Sequence, residues 1–435
     1  MTPITRRPSM PGGDPIGRRV QSRIYRNGAL GVPMPTPRSP GALEDAARKK
    51  MSARAFAYVA GSAGAERTAR ANTDAFDRWE IVPRMLRDVA ERDMGVDLFG
   101  RHHPTPFLLS PIGVQELAHP DADVATARAA AATGVPMIFS TQASRSMEEC
   151  AAVMGEASRW FQLYWSSDDD VVVSFLERAE DCGCEALVVT LDTHVLGWRP
   201  RDLDKAFLPF AHGMGIAQYT SDPAFMRLAT ARAERAGPAE PRPRPTPAAI
   251  RTLLAMTRRH PGRFTDNIRS AMPQAAVETF LDVFSRSTLT WDDLDFLREH
   301  TTLPIVLKGI QDPHDAVRAV DAGMDGIVVS NHGGRQVDGA IGSLTVLPEI
   351  VARVGGAFPV LFDSGVRTGA DAFKALALGA TAVGIGRPYM YGLAIDGSAG
   401  VEAVVDHLAA ELDLTMALAG ASAIGDIDAS FLRHR

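Results

Sequence analysis

His332 stands in the run Ser330-Asn-His-Gly-Gly-Arg-Gln336, just past a short apolar stretch. The two glycines after it let a substrate come close to the backbone. Arg335, three residues on, could fork onto a carboxylate, as a guanidinium does and an ammonium cannot. Asp192 ends another apolar run, Ala186-Leu-Val-Val-Thr-Leu-Asp192, and could orient and polarise the imidazole from across a shared mouth. Other apolar runs also end abruptly in polar residues: Ser110, Ser140, Gln162 with Tyr164, Thr190, Lys308, Ser330, Asp363 and Arg387. Together these supply a base, carboxylates, two cations and a phenol, the groups that proton or hydride transfer from an acidic substrate needs. There is no Cys/His cluster at metal-ligand spacing and no GxSxG, so the sequence gives no metal site and speaks against a metallohydrolase or a serine esterase.

Those residues converge only if the apolar runs are neighbouring strands. Eight runs fit: Pro106–Ser110, Pro136–Ser140, Trp160–Tyr164, Ala186–Asp192, Pro304–Lys308, Gly326–Ser330, Pro359–Asp363 and Ala382–Gly386. Short, continuously apolar and β-branched, they read as strands buried on both faces. Ala-rich stretches of helical spacing lie between them, among them 121–133, 168–181, 312–322 and 370–378, with Gly134, Gly183, Gly323 and Gly379 as C-terminal stops. Eight strands alternating with helices predict a closed parallel α/β barrel, a (β/α)8 TIM barrel, whose site lies at the C-terminal strand ends. An open doubly wound sheet is the alternative, but GxGxxG and GxxxxGK[ST] are both absent. The last two strands carry Asp363-Ser-Gly-Val-Arg-Thr-Gly369 and Gly384-Ile-Gly-Arg387. Paired Gly-Arg turns at these strand ends point to a phosphate-bearing ligand.

The 435 residues carry a formal charge of −6, are 46% hydrophobic and contain three cysteines. That composition predicts a globular chain without a disulfide framework, with no footprint for nucleic acid, no membrane span and a cytoplasmic setting. Residues 1–104 read as an N-terminal arm with helices over 43–59 and 68–75, contributing to the pocket. Residues 105–395 read as the barrel, and 396–435 as a closing helical segment, helical over 401–418. The stretch 200–290 interrupts the fourth and fifth units and holds five prolines within 238–247. That density forbids helix or central strand there, so the insertion reads as a mobile lid over the mouth with its Pro-rich part exposed. Cys182 and Cys184 read as core, and His102-His103 as a solvated loop.

The His332 and Asp363 segments, with Phe373-Lys-Ala-Leu-Ala-Leu-Gly-Ala380 and Ile385-Gly-Arg-Pro388, resemble the FMN-dependent α-hydroxy-acid oxidising family over about residues 41–420. Within that family, Ala57-Tyr-Val-Ala-Gly-Ser-Ala-Gly64, Pro111-Ile-Gly-Val114, Gly197-Trp-Arg-Pro-Arg-Asp-Leu-Asp204, Gly213-Met-Gly-Ile216 and the long insertion are most similar to the lactate 2-monooxygenases. The resemblance implies that His332 is the base with Asp192 bonded to it. Arg335, Arg199 and Tyr58 would hold the substrate carboxylate, with Tyr164 facing the substrate oxygen. Lys308 would lie at the flavin N1/O2 edge. Pro111, Ile112, Gly113, Ser140, Gln162, Thr190 and Ser330 would line the isoalloxazine, and Asp363, Ser364, Gly365, Arg367, Gly386 and Arg387 the ribityl chain and phosphate. The implied reaction is oxidation of a small L-2-hydroxy acid by O2, lactate first, giving acetate, CO2 and water. Release of the 2-keto acid, with peroxide when oxygen is the acceptor, is the alternative. An FMN-dependent isomerase and a non-catalytic scaffold stand behind these. A homo-oligomer, tetramer or higher, is implied as well. Three positions depart from the family pattern: Ser364 where many members have Gly, Gln142 in place of a bulky apolar residue, and Gly113 where oxidases carry Ala.

Overall fold

In the computed structural model, which describes residues 15–235 and 246–435, eight strands close into a parallel barrel. They are β1 (Phe107–Leu109), β2 (Met137–Ser140), β3 (Arg159–Leu163), β4 (Leu187–Thr190), β5 (Ile305–Ile310), β6 (Gly326–Val329), β7 (Val360–Phe362) and β8 (Ala382–Ile385). Each pairs in parallel with its chain neighbour, and β8 returns to β1 through Val383↔Phe107 and Ile385↔Leu109. All eight lie within two residues of the runs expected from the sequence.

Strand periodicity explains how the barrel carries a polar site on an apolar body. Leu108, Ile138, Trp160, Val188, Val306, Val328, Leu361 and Ala382 form one interior cluster. Their sequence neighbours, such as Phe107, Phe139, Phe161 and Phe362, belong to a separate cluster. Side chains alternate along a strand, so the next inward position on each strand lies two residues on. Those positions are Ser110, Ser140, Gln162, Thr190, Lys308, Ser330, Asp363 and Gly384, seven polar residues and one glycine above a complete apolar layer. At the opposite end, Val96 and Leu98 of the hairpin Val96–Leu98/Arg101–His103 join the interior cluster, and Phe99 meets Trp160 edge-on at 5.3 Å.

The outer helices start and stop where their caps dictate. The Asp168 side chain caps Asp169–Asp181, and the capping box of Thr368 and Asp371 opens Gly369–Ala377. The helix Met147–Met154, with its Ser146/Glu149 capping box, and Ser343–Val354, which carries an internal Pro348, were not anticipated.

The arm is more helical than expected. Ile16–Ala29, Pro40–Lys50, Ala53–Ala60 and Arg67–Asp77 are all helices, and the single helix expected over 43–59 is broken where Ser52 caps a new one. The terminal segment Arg387–Ala419 is two helices joined across a kink at Asp396 and Gly397, where the backbone is non-helical. There Gly392 and Gly400 touch backbone to backbone, and a Cβ on Gly400 would fall 1.9 Å from the Gly392 carbonyl oxygen. Trp79–Ile81 pairs antiparallel with Leu432–His434, tying the arm to the C-terminus.

The insertion differs from an irregular excursion. Its described part folds into helices Pro223–Arg235, Pro247–Arg259 and Met272–Val283, anchored by an aromatic cluster. Tyr219 lies at the centre, with Phe280, Phe175 and Phe225 at 4.9, 5.0 and 5.2 Å. Offset and edge-on rings at these separations add to the area they bury. The Pro-rich stretch 238–245 lies outside the described residues.

Candidate functional site

The C-terminal strand ends open into a cavity enclosing about 1060 Å³ counting its mouth, enough for a nucleotide-sized ligand. Tyr58, Pro111, Ile112, Gly113, Tyr164, Arg199, Lys308, His332, Arg335, Asp363, Ser364, Gly365, Arg367, Gly386 and Arg387 line it. Ser140, Gln162, Thr190 and Ser330 sit in the buried polar layer beneath, and Asp192 sits behind His332. The residues expected at the site therefore either line this cavity or lie directly beneath or behind its wall.

His332 lies on a tightly held turn. Its φ of +57° is unusual for a residue with a Cβ, and Gly333 and Gly334 follow at +63° and +76°. A Cβ on Gly334 would lie 2.6 Å from the Ala69 backbone nitrogen, so the arm can pack here only against glycine. Three contacts fix the turn. Asn331 and Asn72 exchange amide hydrogen bonds of 2.6 and 2.7 Å, buried between arm and barrel. The Gly334 N–H donates to Asn331 Oδ1 at 3.0 Å. Ser364 Oγ accepts from the Gly333 N–H at 3.0 Å while donating to Asp363 Oδ1 at 2.9 Å.

The imidazole Nδ1 lies 2.7 Å from Asp192 Oδ1, and Thr193 Oγ1 donates to the same carboxylate at 2.9 Å. Burial works to raise the Asp192 carboxyl, but the charges of His332 and Lys308 and the hydrogen bonds of His332 and Thr193 outweigh it and hold it at about 2. Burial lowers His332 below its ordinary value, with Asp192 opposing and Lys308 and Arg335 adding to the fall. The pair at neutral pH is thus an ionised aspartate receiving Nδ1–H from a neutral imidazole, which leaves Nε2 as a free base. Lys308 donates to Ser330 Oγ at 2.8 Å and lies 3.4 Å from Asp363 Oδ2. Burial opposes its charge, yet Asp363 and Asp192 raise its pKa, so it remains an ammonium. Burial, then the Asp192 charge, pushes the Tyr164 phenol up, keeping it a donor.

Across the cavity, the guanidinium carbons of Arg335 and Arg199 lie 5.1 and 5.6 Å from the Tyr58 ring centre. Arg335 Nη1 donates to the Tyr58 and Gly61 carbonyls at 2.7 Å each, leaving most of its fork unspent. Arg387 is committed differently: it donates to the Val59, Gly333 and Gly61 carbonyls and to Ser62 Oγ at 2.8–3.2 Å. With no carboxylate bonded to it among the described residues, burial and then the charge of Arg335 lower its pKa to about 9. A buried cation so placed calls for an anion nearby.

The site fits a flavin nucleotide by what it leaves unpaired. Among the described residues, Gln162 Nε2 and Thr190 Oγ1 are sealed from water without a hydrogen-bond partner, as is Gln142 Nε2 on the wall. Buried polar atoms are rarely left so, and a ring carrying carbonyls and ring nitrogens would satisfy them. Of the two Gly-Arg turns, the helix after β7 already spends its first N–H groups on its own cap. The helix opening at Arg387 has no side-chain cap, and a Cβ on Gly386 would meet only open space. The end free to receive an anion is therefore the one at Gly386, with Arg367 on the same wall.

Sequence reasoning missed Thr193, Asp202, Leu196 and Phe210, all at or beside the site. Adjacency to Asp192 was the only signal for Thr193. Phe210 comes from the insertion and required the fold. One expectation changes its meaning. The space left by Gly113 is already filled, since a Cβ there would fall 2.8 Å from the Gln142 carbonyl oxygen.

The model of the family described as FMN-dependent dehydrogenase matches residues 47–434. An FMN-dependent alpha-hydroxy acid dehydrogenase of Penicillium citrinum is 42% identical, over 95% of both chains. An L-lactate oxidase of Lysinibacillus sphaericus is 40% identical, over 88% of this chain and 89% of its own. A solved mandelate oxidase superposes with a TM-score of 0.74 at 38% identity, covering 92% of this chain and 99% of that one.

Proposed function

This chain belongs to the FMN-dependent dehydrogenase family and is an FMN-dependent oxidoreductase of α-hydroxy acids, and from that premise we propose a small L-2-hydroxy acid, L-lactate first, as its substrate and decarboxylating oxidation as its outcome. FMN, when bound, accepts two electrons from the substrate carbon and passes them to oxygen. The observation that carries the reading is the neutral His332, held at 2.7 Å by an ionised Asp192, opposite a pair of guanidiniums stacked on Tyr58.

The substrate carboxylate docks on Arg335 and Arg199. Its hydroxyl then faces His332 and Tyr164. His332 Nε2 takes a proton, and Asp192 stabilises the imidazolium that results. The Tyr164 O–H donates to the substrate oxygen. Lys308, charged and buried, would offset negative charge on the bound ring. Ser140, Gln162, Thr190, Ser330, Pro111, Ile112 and Gly113 would hold the ring, and Asp363, Ser364, Gly365, Arg367, Gly386 and Arg387 would hold the ribityl chain and phosphate.

The product outcome turns on how long the 2-keto acid stays. A keto acid retained while oxygen is reduced beside it meets peroxide at very high effective concentration and loses CO2, giving acetate and water. Leu196, Arg199 and Phe210, contributed after β4, wall the cavity and support retention. The second reading is an oxidase releasing keto acid and peroxide, favoured by the likeness to an L-lactate oxidase and by the Gln142 wall closing on Gly113. Turnover of L-lactate in air with product analysis decides. Acetate and CO2 with little free peroxide are expected, whereas stoichiometric pyruvate and peroxide would establish the oxidase instead.

A further inference from the structure

The two guanidiniums of the carboxylate grip are not alone. The short helix Pro200–Leu203 puts Asp202 three residues after Arg199, and the Asp202 N–H donates back to the Arg199 carbonyl at 3.1 Å. Asp202 Oδ2 consequently lies 3.7 Å from Arg199 Nη1, while Oδ1 is sealed from water with no hydrogen-bond partner among the described residues. A buried carboxylate oxygen without a donor is costly and needs a reason. The charge count supplies one. Arg199 and Arg335 bring two positive charges to the grip, and Asp202 removes one, leaving a single uncompensated positive charge. On the facing side, two carboxyl groups, Asp192 and Asp363, share the single Lys308 ammonium at 3.9 and 3.4 Å, so that wall offers no spare cation.

Resting on the reading of this cavity as a hydroxy-acid site, we propose that Asp202 is a specificity-determining residue that restricts the site to monocarboxylates. One substrate carboxylate neutralises the grip. A second, in place of the substrate's apolar end, would find the other cations of the cavity, Arg367 and Arg387, taken by the cofactor phosphate, and would face Asp192 and Asp363. In surroundings this dry, a unit of excess charge discriminates strongly. Asp202 makes no contact with the reacting atoms, and its part is to set the charge that the arginines present.

The test uses oxidised FMN-loaded enzyme and two non-reacting acids of matched shape, propionate and malonate, titrated by the change in flavin absorption. Wild-type enzyme should bind propionate more tightly than malonate. Asp202→Asn, which keeps the shape and drops the charge, should shift the ratio of dissociation constants toward malonate by at least about tenfold. Asp202→Glu should keep the wild-type ratio. An unchanged ratio in Asp202→Asn overturns the proposal, as does an equal loss of affinity for both acids, which would mark a purely structural role. A wild-type enzyme that binds malonate as well as propionate overturns it too. Failure of the wild type to bind either acid would instead overturn the hydroxy-acid reading on which the proposal rests.

Discussion

His332 and its partner set the first expectation. Replacing His332 with Gln keeps a polar group on the turn but removes the base, and anaerobic stopped-flow should show flavin reduction slowed about 10²–10⁴-fold. An unchanged rate would remove His332 from the chemistry. The pH dependence follows from direction. The imidazole must be neutral to accept a proton, and burial lowers its pKa, so kcat/KM should rise with pH with its midpoint below the 6.5 of a free histidine. Stability carries the same sign. Asp192 sits at about 2 in the folded chain against 3.8 for the free group, so its contribution of about 2 kcal/mol is present above 3.8 and lost as pH falls toward 2. Residue types and their nearness to strand ends made His332, Arg335, Lys308 and Asp363 legible in the sequence. Asp202 was not, because an acid three residues from an arginine in an otherwise exposed segment reads as solvated until its side chain is seen turned in beside Arg199.

At the scale of elements, turns decide how well the site is held. Ser364 adopts a φ of +84°, a region that favours glycine, while its hydroxyl links β7 to the His332 turn. Ser364→Gly relieves strain of order 1 kcal/mol and loses hydrogen bonds of similar worth. Melting temperature should stay near the wild-type value while flavin reduction slows by roughly tenfold as the base loses its brace; a variant reducing its flavin at the wild-type rate would remove that role. A second buried turn gives an opposite pH signature. Asp123 accepts from the Ser144 and Arg145 N–H groups at 2.8 and 3.2 Å, holding the loop that carries Gln142. Burial raises its pKa to about 7, so it is protonated in the fold where the unfolded chain is ionised, and it costs stability increasingly as pH rises from 3.8 to about 7. Asp123→Asn should therefore raise the melting temperature at pH 8 and leave it nearly unchanged at pH 4; equal shifts at both would show that the carboxylate is not the cause. Strands and capped helices such as Asp169–Asp181 were readable from apolar runs and their stops. The break at Ser52 was not, since Met51 keeps the apolar spacing while its backbone turns extended.

At the scale of the molecule, the barrel places the chemistry and the additions to it govern access. No helix among the described residues is long and apolar enough to cross a membrane. The sequence exposed the insertion by length and proline content, but its helical part was hidden because Tyr219, Phe225 and Phe280 find their partners only in three dimensions. We propose that this insertion acts as a lid and that the chain assembles as a homo-oligomer of four or more copies, a state that light scattering on the FMN-loaded enzyme checks by mass. The lid argument begins with Phe210 and Leu196, which wall the cavity from segments outside the barrel. Phe210 in turn rests on Phe280 at 5.0 Å, so the wall is coupled to the helix Met272–Val283 and not merely draped over the mouth. Gly215 packs against the Gln142 wall, where a Cβ would meet the Gln142 carbonyl oxygen at 3.0 Å, and this brings the insertion's base to the substrate pocket. A ligand bound on Arg199 and Arg335 should stiffen the same segments. Limited proteolysis should therefore cut first within 203–290, and a saturating non-reacting acid such as propionate should slow that cleavage several-fold without changing cuts elsewhere, because binding energy suppresses local opening. Phe210→Ala should abolish the protection and, by letting the keto acid leave, move the products of L-lactate turnover toward pyruvate and peroxide. First cleavage outside this segment, or protection that survives Phe210→Ala, would reduce the insertion to a packed appendage with no part in holding the product.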